Sequence, residues 1–292
     1  MKIFFMATHP SRGTGYARVA NKLTNHLATL PGVEVVYFAF GNYKGGEIND
    51  RFVDPRIRFL YAVELDPNAG AGCGDDAILP SIIKEKPDVL FIYHDLKVTI
   101  DILNKITPGS LPSKKYVYLD IQYPWQNINL FEVLKAYRFD HIWTFLDTWT
   151  RHMVDDLKFD PLKVTTMVHG IDFERFVDIS PGEAKMKAGF KPDDYLVVNM
   201  NRNSTRKMWE TTIKAFLEFL NRENMNPRIK LFCGCRSYWN RGVDIGMTTK
   251  SECLRRGMDV NRVLNNHIFI SPKPELLTDA EVNNIYNAGD VG

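Results

Sequence analysis

Short apolar runs alternate with helix-spaced patterns along nearly the whole chain, and no other feature constrains the fold as tightly. Ile3–Ala7, Val33–Phe40, Ile57–Ala62, Val89–Tyr93, Tyr116–Leu119, Ile142–Phe145 and Val164–His169 read as strands. Between them the spacing predicts helices over Tyr16–Leu30, Ile78–Lys84, Val98–Ile106, Leu130–Tyr137 and Thr148–Leu157. In the first of these helices Val19, Leu23, Leu27 and Leu30 mark the core face. Strands that are apolar throughout are buried on both sides, so the pattern specifies a parallel sheet sandwiched between helices.

The alternation pauses after His169. Ser180–Asp194 holds Pro181, Gly182, Gly189 and Pro192, and reads as a junction. It then restarts with strands at Tyr195–Met200, Ile229–Cys233 and Ile268–Ile270, and helices at Trp209–Asn221 and near Thr249–Arg256. Thr278-Asp-Ala-Glu281 is a capping box, and Val282, Ile285 and Tyr286 give the helix after it a core face. The 292 residues are about twice the usual single-domain size. They are read as two Rossmann-like doubly wound α/β domains, residues 1–180 and 190–292. The second domain has about half the strands usual for such a sheet, so it is expected to be incomplete.

Composition removes several classes of function. Thirty-seven Lys+Arg against thirty-five Asp+Glu leave a net charge of +2, without the basic excess of a nucleic-acid binder. Four cysteines are few, and the one-residue spacing of Cys233 and Cys235 is not that of a zinc knuckle. The pair reads instead as part of a buried strand. The N-terminus lacks the apolar stretch and cleavage site of a secretory signal, and no run is long enough to span a bilayer. A cytoplasmic location is expected, with peripheral attachment the one membrane association left open. Asn203-Ser204-Thr205 matches a glycosylation sequon that would not be used there.

Three segments could carry chemistry. The loop Arg12-Gly13-Thr14-Gly15-Tyr16 follows the first strand and opens a helix, where backbone amides favour an anionic ligand. It is either a ligand-approach loop or a plain tight connection. A dinucleotide fingerprint fails because Arg18 stands at the third glycine position and Phe38–Asn42 offers no acid, and a Walker loop is absent. The segment Asn201-Arg202-Asn203-Ser204-Thr205-Arg206-Lys207 follows the first strand of the second half. Arg202, Arg206 and Lys207 there could grip a phosphate at the binding edge of a sheet. A merely solvated basic loop is the alternative. Finally His94, Asp95, Asp120 and Asp147 stand at strand ends and suggest a polar, hydroxyl-binding crevice, although each carboxylate could simply cap a helix. Asp120, with Gln122 and Tyr123 after it, is the favoured one. No serine-nucleophile elbow, zinc-protease motif or D-x-D metal motif occurs.

In order and spacing these pieces resemble a retaining glycosyltransferase of the GT-B fold, family 4 type. The likeness rests on Arg12-Gly13-Thr14-Gly15, His169-Gly170-Ile171-Asp172-Phe173-Glu174-Arg175-Phe176, the loop from Asn201 to Met208, and Val282–Val291 with Tyr286 and Asp290. It implies two domains facing across a cleft, with a nucleotide-diphosphate sugar as donor and a glycan or glycoconjugate as acceptor. It implies neither metal nor separate cofactor. Arg202 and Lys207 inherit the grip on the donor diphosphate, with Arg206 accessory. Asp120 stands where the family often has a His. Asn201 and Met208 replace glycines of the phosphate loop, a form similar to transferases of some large DNA viruses that leans towards GDP-mannose within an expected GDP- or UDP-linked donor. The family's E-x7-E donor pair would lie past Val291, so the resemblance implies a chain cut short. A non-catalytic glycan-binding protein and a sugar-nucleotide epimerase of the same fold are the alternatives.

Overall fold

The computed structural model describes residues 1–41, 51–67, 73–106, 108–121, 128–238, 242–272 and 277–292, without the side chain of residue 108. Asn42, Gln122 and Tyr123, read above, lie outside the described residues. The chain divides into two compact units, Met1–Gly170 and Ile171–Gly292.

The first unit runs β1 (Lys2–Thr8), α1 (Gly15–Thr29), β2 (Glu34–Phe40), β3 (Arg58–Tyr61), α2 (Ala62–Leu65), α3 (Ile78–Glu85), β4 (Val89–Asp95), α4 (Leu96–Leu103), β5 (Lys114–Asp120), α5 (Ile128–Ala136), β6 (His141–Thr144), α6 (Asp147–Arg151) and β7 (Val164–Thr166). A π-helical turn, His152–Asp156, continues α6. The strands form one seven-stranded parallel sheet in the order β3-β2-β1-β4-β5-β6-β7. Both faces are covered, as the unbroken apolar strands require. Phe4, Met6, Leu90 and Ile92 pack towards α3, α4, α5 and α6 on one side. Ile3, Phe5, Tyr37, Tyr93 and Tyr118 pack on the other, beneath α1.

That helix seats differently from the leucine pattern. Its buried positions are Ala17, Ala20, Asn21, Thr24 and Ala28, while Val19, Leu23 and Leu27 flank them half-buried and Leu30 is exposed. Small side chains let the helix axis lie close to a sheet whose own aromatic rings fill the layer. Other boundaries move too. α3 begins before Pro80, whose missing amide falls in the first turn, where it has no intrahelical partner to lose. β7 ends at Thr166, so His169 lies beyond the sheet, not in it.

The second unit runs α7 (Pro181–Lys187), β8 (Tyr195–Asn199), α8 (Trp209–Arg222), β9 (Ile229–Cys233), α9 (Ile245–Arg255), α10 (Val260–Asn266), β10 (Ile268–Ile270) and α11 (Asp279–Ala288). The expected junction therefore carries a helix of its own, and α7 packs with α11 through Ala184, Ile285 and Ala288. The opposite face of the sheet β10-β9-β8 is closed by Trp209, Ile213, Phe216, Leu217 and Leu220 of α8, with Cys233, Cys235 and Cys253 buried in the same layer. Burying each of these large apolar side chains contributes about 1.5–3 kcal/mol. The capping box forms as read: Thr278 Oγ1 accepts from the Glu281 amide, and the Glu281 carboxylate accepts from the Thr278 amide. Val282 and Ile285 face inward, but Tyr286 is 59% exposed, contrary to the sequence reading. Among the described residues no helix is long and apolar enough to cross a membrane.

Candidate functional site

Strand order in the first unit reverses between β1 and β4, and open α/β sheets bind ligands outside the carboxyl ends of strands at such a point. The chain leaves β1 through His9–Thr14 and turns into α1, where Thr14 Oγ1 accepts from the Ala17 amide at 3.2 Å. His9 fastens this loop. The Ser11 amide and hydroxyl both donate to His9 Nδ1, at 3.1 and 2.9 Å, and the ring packs 5.2 Å from Phe59. Burial, aided by the Arg12 charge, lowers the imidazole to about 4. Arg51 Nη1 donates to the Pro10 and Arg12 carbonyls, at 2.8 and 2.9 Å. Gly13 and Gly15 are exposed, and a Cβ on Gly15 would meet nothing within 4 Å. The loop is anchored at its base and open at its tip.

β4 and β5 end in register, Tyr93 beside Tyr118 and Asp95 beside Asp120. Tyr16, from the first turn of α1, stacks on His94 at 4.5 Å and hydrogen-bonds to the Asp120 carboxylate. The Asp95 amide lies 2.9 Å from His94 Nδ1, and His94 Nε2 lies 3.4 Å from Thr8 Oγ1. His169, beyond β7, stacks on Phe145 at 5.2 Å and meets the Tyr118 ring edge-on at 5.5 Å. Burial pushes the Asp120 carboxyl above its ordinary range, and Asp95 adds to that. His169, the Tyr16 hydroxyl and His94 oppose it. Burial likewise lowers His169, against the pull of Asp120. The crevice thus holds a half-buried carboxylate of raised basicity between two imidazoles and a phenol, a set able to bind a hydroxyl and take up its proton.

Tyr16, His94, Asp120 and His169 are therefore brought together. Asp95 stands beside them as the cap of α4: Oδ1 accepts from the Val98 amide at 2.9 Å. Burial would raise Asp95, but its contacts with His94 and that amide outweigh this and hold it low. Asp147 is the exposed first residue of α6, where it makes no capping bond. Gly170 is exposed beside His169. Sequence reasoning missed Tyr93 and Tyr118. The repeated Tyr-x-Asp at two strand ends, Tyr93-His-Asp95 and Tyr118-Leu-Asp120, was the signal that could have found them.

The second unit has its own reversal. Val291 pairs in parallel with Val197 on the side of β8 away from β9, so the order reverses at β8, the strand that leads into the basic loop. Asn199 Oδ1 accepts from the Asn201 amide and side chain, at 3.0 and 2.9 Å, and turns the chain. Asn203 is 2% exposed, and its amide group is spent on backbone. It donates to the Arg236 and Val243 carbonyls at 3.1 and 2.7 Å and accepts from the Val243 amide at 3.0 Å. A Cβ at position 242 would lie 2.2 Å from Asn203 Oδ1, so only Gly242 leaves room for this latch. The buried Trp209 indole donates to the Arg202 carbonyl at 3.2 Å.

Thr205–Lys207 then form one 3₁₀ turn, and Met208 enters α8 at φ +53°, the left-handed region that favours glycine. No side chain caps α8, so its first amides face the loop. Glu210, in that first turn, is engaged by Lys214 at 2.5 Å. Arg202 and Arg206 are exposed and Lys207 half-exposed, and among the described residues none of the three has an ion-pair partner. Unpaired cations beside a helix N-terminus can hold a phosphate or diphosphate.

The fold built from these two parallel-sheet units is α/β and similar to that of GT-B glycosyltransferases. A glycosyltransferase from Rickettsia africae superimposes with a TM-score of 0.58 at 12% identity, covering 99% of this chain and 71% of that one. A trehalose-6-phosphate protein from E. coli, bound with UDP-2-fluoro glucose, gives 0.60 at 10% identity, covering 100% and 77%. A Listeria monocytogenes protein assigned as a UDP-N-acetylglucosamine 2-epimerase gives 0.58 at 13%, covering 99% and 72%. No protein-family model matches the sequence, and comparison with curated proteins finds no match.

Proposed function

We propose that this protein transfers a sugar from a nucleoside-diphosphate donor to an acceptor hydroxyl, with retention at the anomeric carbon and without a metal, as the family 4 resemblance implies. The observation that carries the reading is the loop Asn201–Met208: three cations with no ion-pair partner among the described residues, at the reversal of strand order in the second unit. Arg202 and Lys207 neutralise the diphosphate as its bond to the sugar breaks, with Arg206 in support. This stabilises charge where it develops in the transition state. Asp120 holds the acceptor hydroxyl, with Tyr16 and the loop from Gly13 to Gly15 framing it. The donor is UDP- or GDP-linked. Support for UDP comes from the E. coli neighbour with its bound UDP-2-fluoro glucose, and support for GDP from the form of the loop.

Calorimetry with UDP, GDP and ADP, followed by transfer assays with the matching nucleotide sugars, tests this. Arg202→Ala and Lys207→Ala are each expected to weaken nucleotide binding and turnover at least tenfold, the ~1.4 kcal/mol that one charged contact supplies. Unchanged binding and rates in both variants would remove the assignment. The likeness to the Listeria protein keeps an epimerase as a second reading. It would show as isomerisation of the nucleotide sugar with no acceptor present.

A further inference from the structure

Trp209 is the largest fully buried side chain among the described residues, and it is the first residue of α8. It belongs to the same buried cluster as Ile213, Phe216 and Leu217. A buried indole N–H needs an acceptor. Here the acceptor is the carbonyl of Arg202, seven residues back, at 3.2 Å. One side chain thus closes residues 202–209 into a ring. Arg202 stands at the closure and Lys207 within the ring, two residues before the tryptophan.

The backbone between them is fixed by other bonds. The Lys207 amide donates to the Ser204 carbonyl at 2.9 Å, and the Met208 amide to the Thr205 carbonyl at 3.1 Å. Asn203 is held by Arg236 and Val243. Asn199 Nδ2 donates to Thr212 Oγ1 at 3.2 Å, which ties the end of β8 to α8 as well. For Arg202 itself, the bond from the indole is the one hydrogen bond it makes among the described residues.

We infer that Trp209 is a positioning residue that sets the spacing of Arg202 from Lys207, and that this spacing selects a diphosphate over a monophosphate. The inference rests on the donor side of the reading above and deepens it. A diphosphate reaches two cations at once, so its affinity gains when their separation is set before binding. A single phosphate needs only one of them and gains little. Losing the indole bond leaves both cations in the loop and frees the distance between them.

Calorimetry with UDP and UMP on the whole chain tests it. The unsubstituted protein is expected to bind UDP at least tenfold more tightly than UMP. Trp209→Phe keeps an aromatic ring in the core. It should weaken UDP by at least about fivefold and leave UMP within about twofold, so the preference shrinks. Phe216→Leu loosens the same core without touching the loop, and should lower the melting temperature while keeping the preference. NMR reads the bond without any substitution: UDP should shift the indole N–H resonance of Trp209, and UMP should shift it less. An unchanged preference in Trp209→Phe, an equal loss of preference in Phe216→Leu, or an indole resonance that UDP does not move would overturn the inference. If UDP binding still fails in Arg202→Ala and Lys207→Ala, the donor site stands without this role for Trp209. UDP that does not bind, or that binds both of those variants fully, would remove the donor site and this inference with it.

Discussion

At the scale of single residues, Met208 replaces a glycine of the resembled motif without changing what the motif needs. Its backbone is left-handed at φ +53°, a conformation that strains a side-chain-bearing residue by about 1–2 kcal/mol, and its side chain is 59% exposed, so little packing is gained in return. Met208→Gly is therefore expected to stabilise the protein by up to about 1 kcal/mol, the relief being partly offset by the freer unfolded chain. Thermal denaturation checks this, and a fall in melting temperature would mean that the methionine makes a contact the fold requires. His9 gives a pH dependence with a definite sign. Its ring is held near 4 when folded and titrates at 6.5 when free. Between those values the unfolded chain binds a proton that the folded chain does not. Stability therefore falls as pH drops from 6.5 towards 4, by up to about 1.4 kcal/mol per unit. Denaturant titrations at pH 7 and pH 5 should show this loss, and His9→Asn, which keeps an acceptor for the Ser11 amide, should reduce it. An equal slope in the variant would assign the loss to other groups.

At the scale of elements, what is local in sequence was legible. The apolar runs gave every strand except β7 to within two residues at each end, and the capping box gave the start of α11. What depends on a neighbour was not. The deep face of α1 is alanine, asparagine and threonine, set against aromatic rings that the sheet contributes from β1, β2, β4 and β5, and no helical periodicity within α1 contains that fact. The basic loop was read as a phosphate grip from its composition, but its shape is set by a segment some forty residues away: Asn203 reaches Arg236 and Val243. Asn203→Ala removes three hydrogen bonds and strands buried backbone groups, so a loss of about 2 kcal/mol in stability is expected, with weaker UDP binding beside it. Chemical denaturation and calorimetry measure both. Stability lost with UDP affinity intact would separate the latch from the site.

At the scale of the whole molecule, the two compact units each reverse strand order at the strand that feeds a candidate loop. Hydrogen exchange can assign ligands to units. UDP is expected to slow exchange across Asn199–Met208 and the first turn of α8, leaving the ends of β4 and β5 as they were. Protection centred on the first unit would reverse the proposed roles.

The sequence by itself determined the α/β class, the alternation of buried strands with covering helices, and the positions of the polar residues at strand ends. These follow from periodicity and from local backbone chemistry, which act within a few residues. Only the tertiary structure decided that Tyr16 meets Asp120, that Tyr93 is buried beside Tyr16 and Tyr118 with no hydroxyl partner among the described residues, and that Val291 closes the second reversal beside β8. Those outcomes depend on parallel register and on crossovers between strands far apart in the chain, where the pairing of one strand fixes which side chains of another can touch.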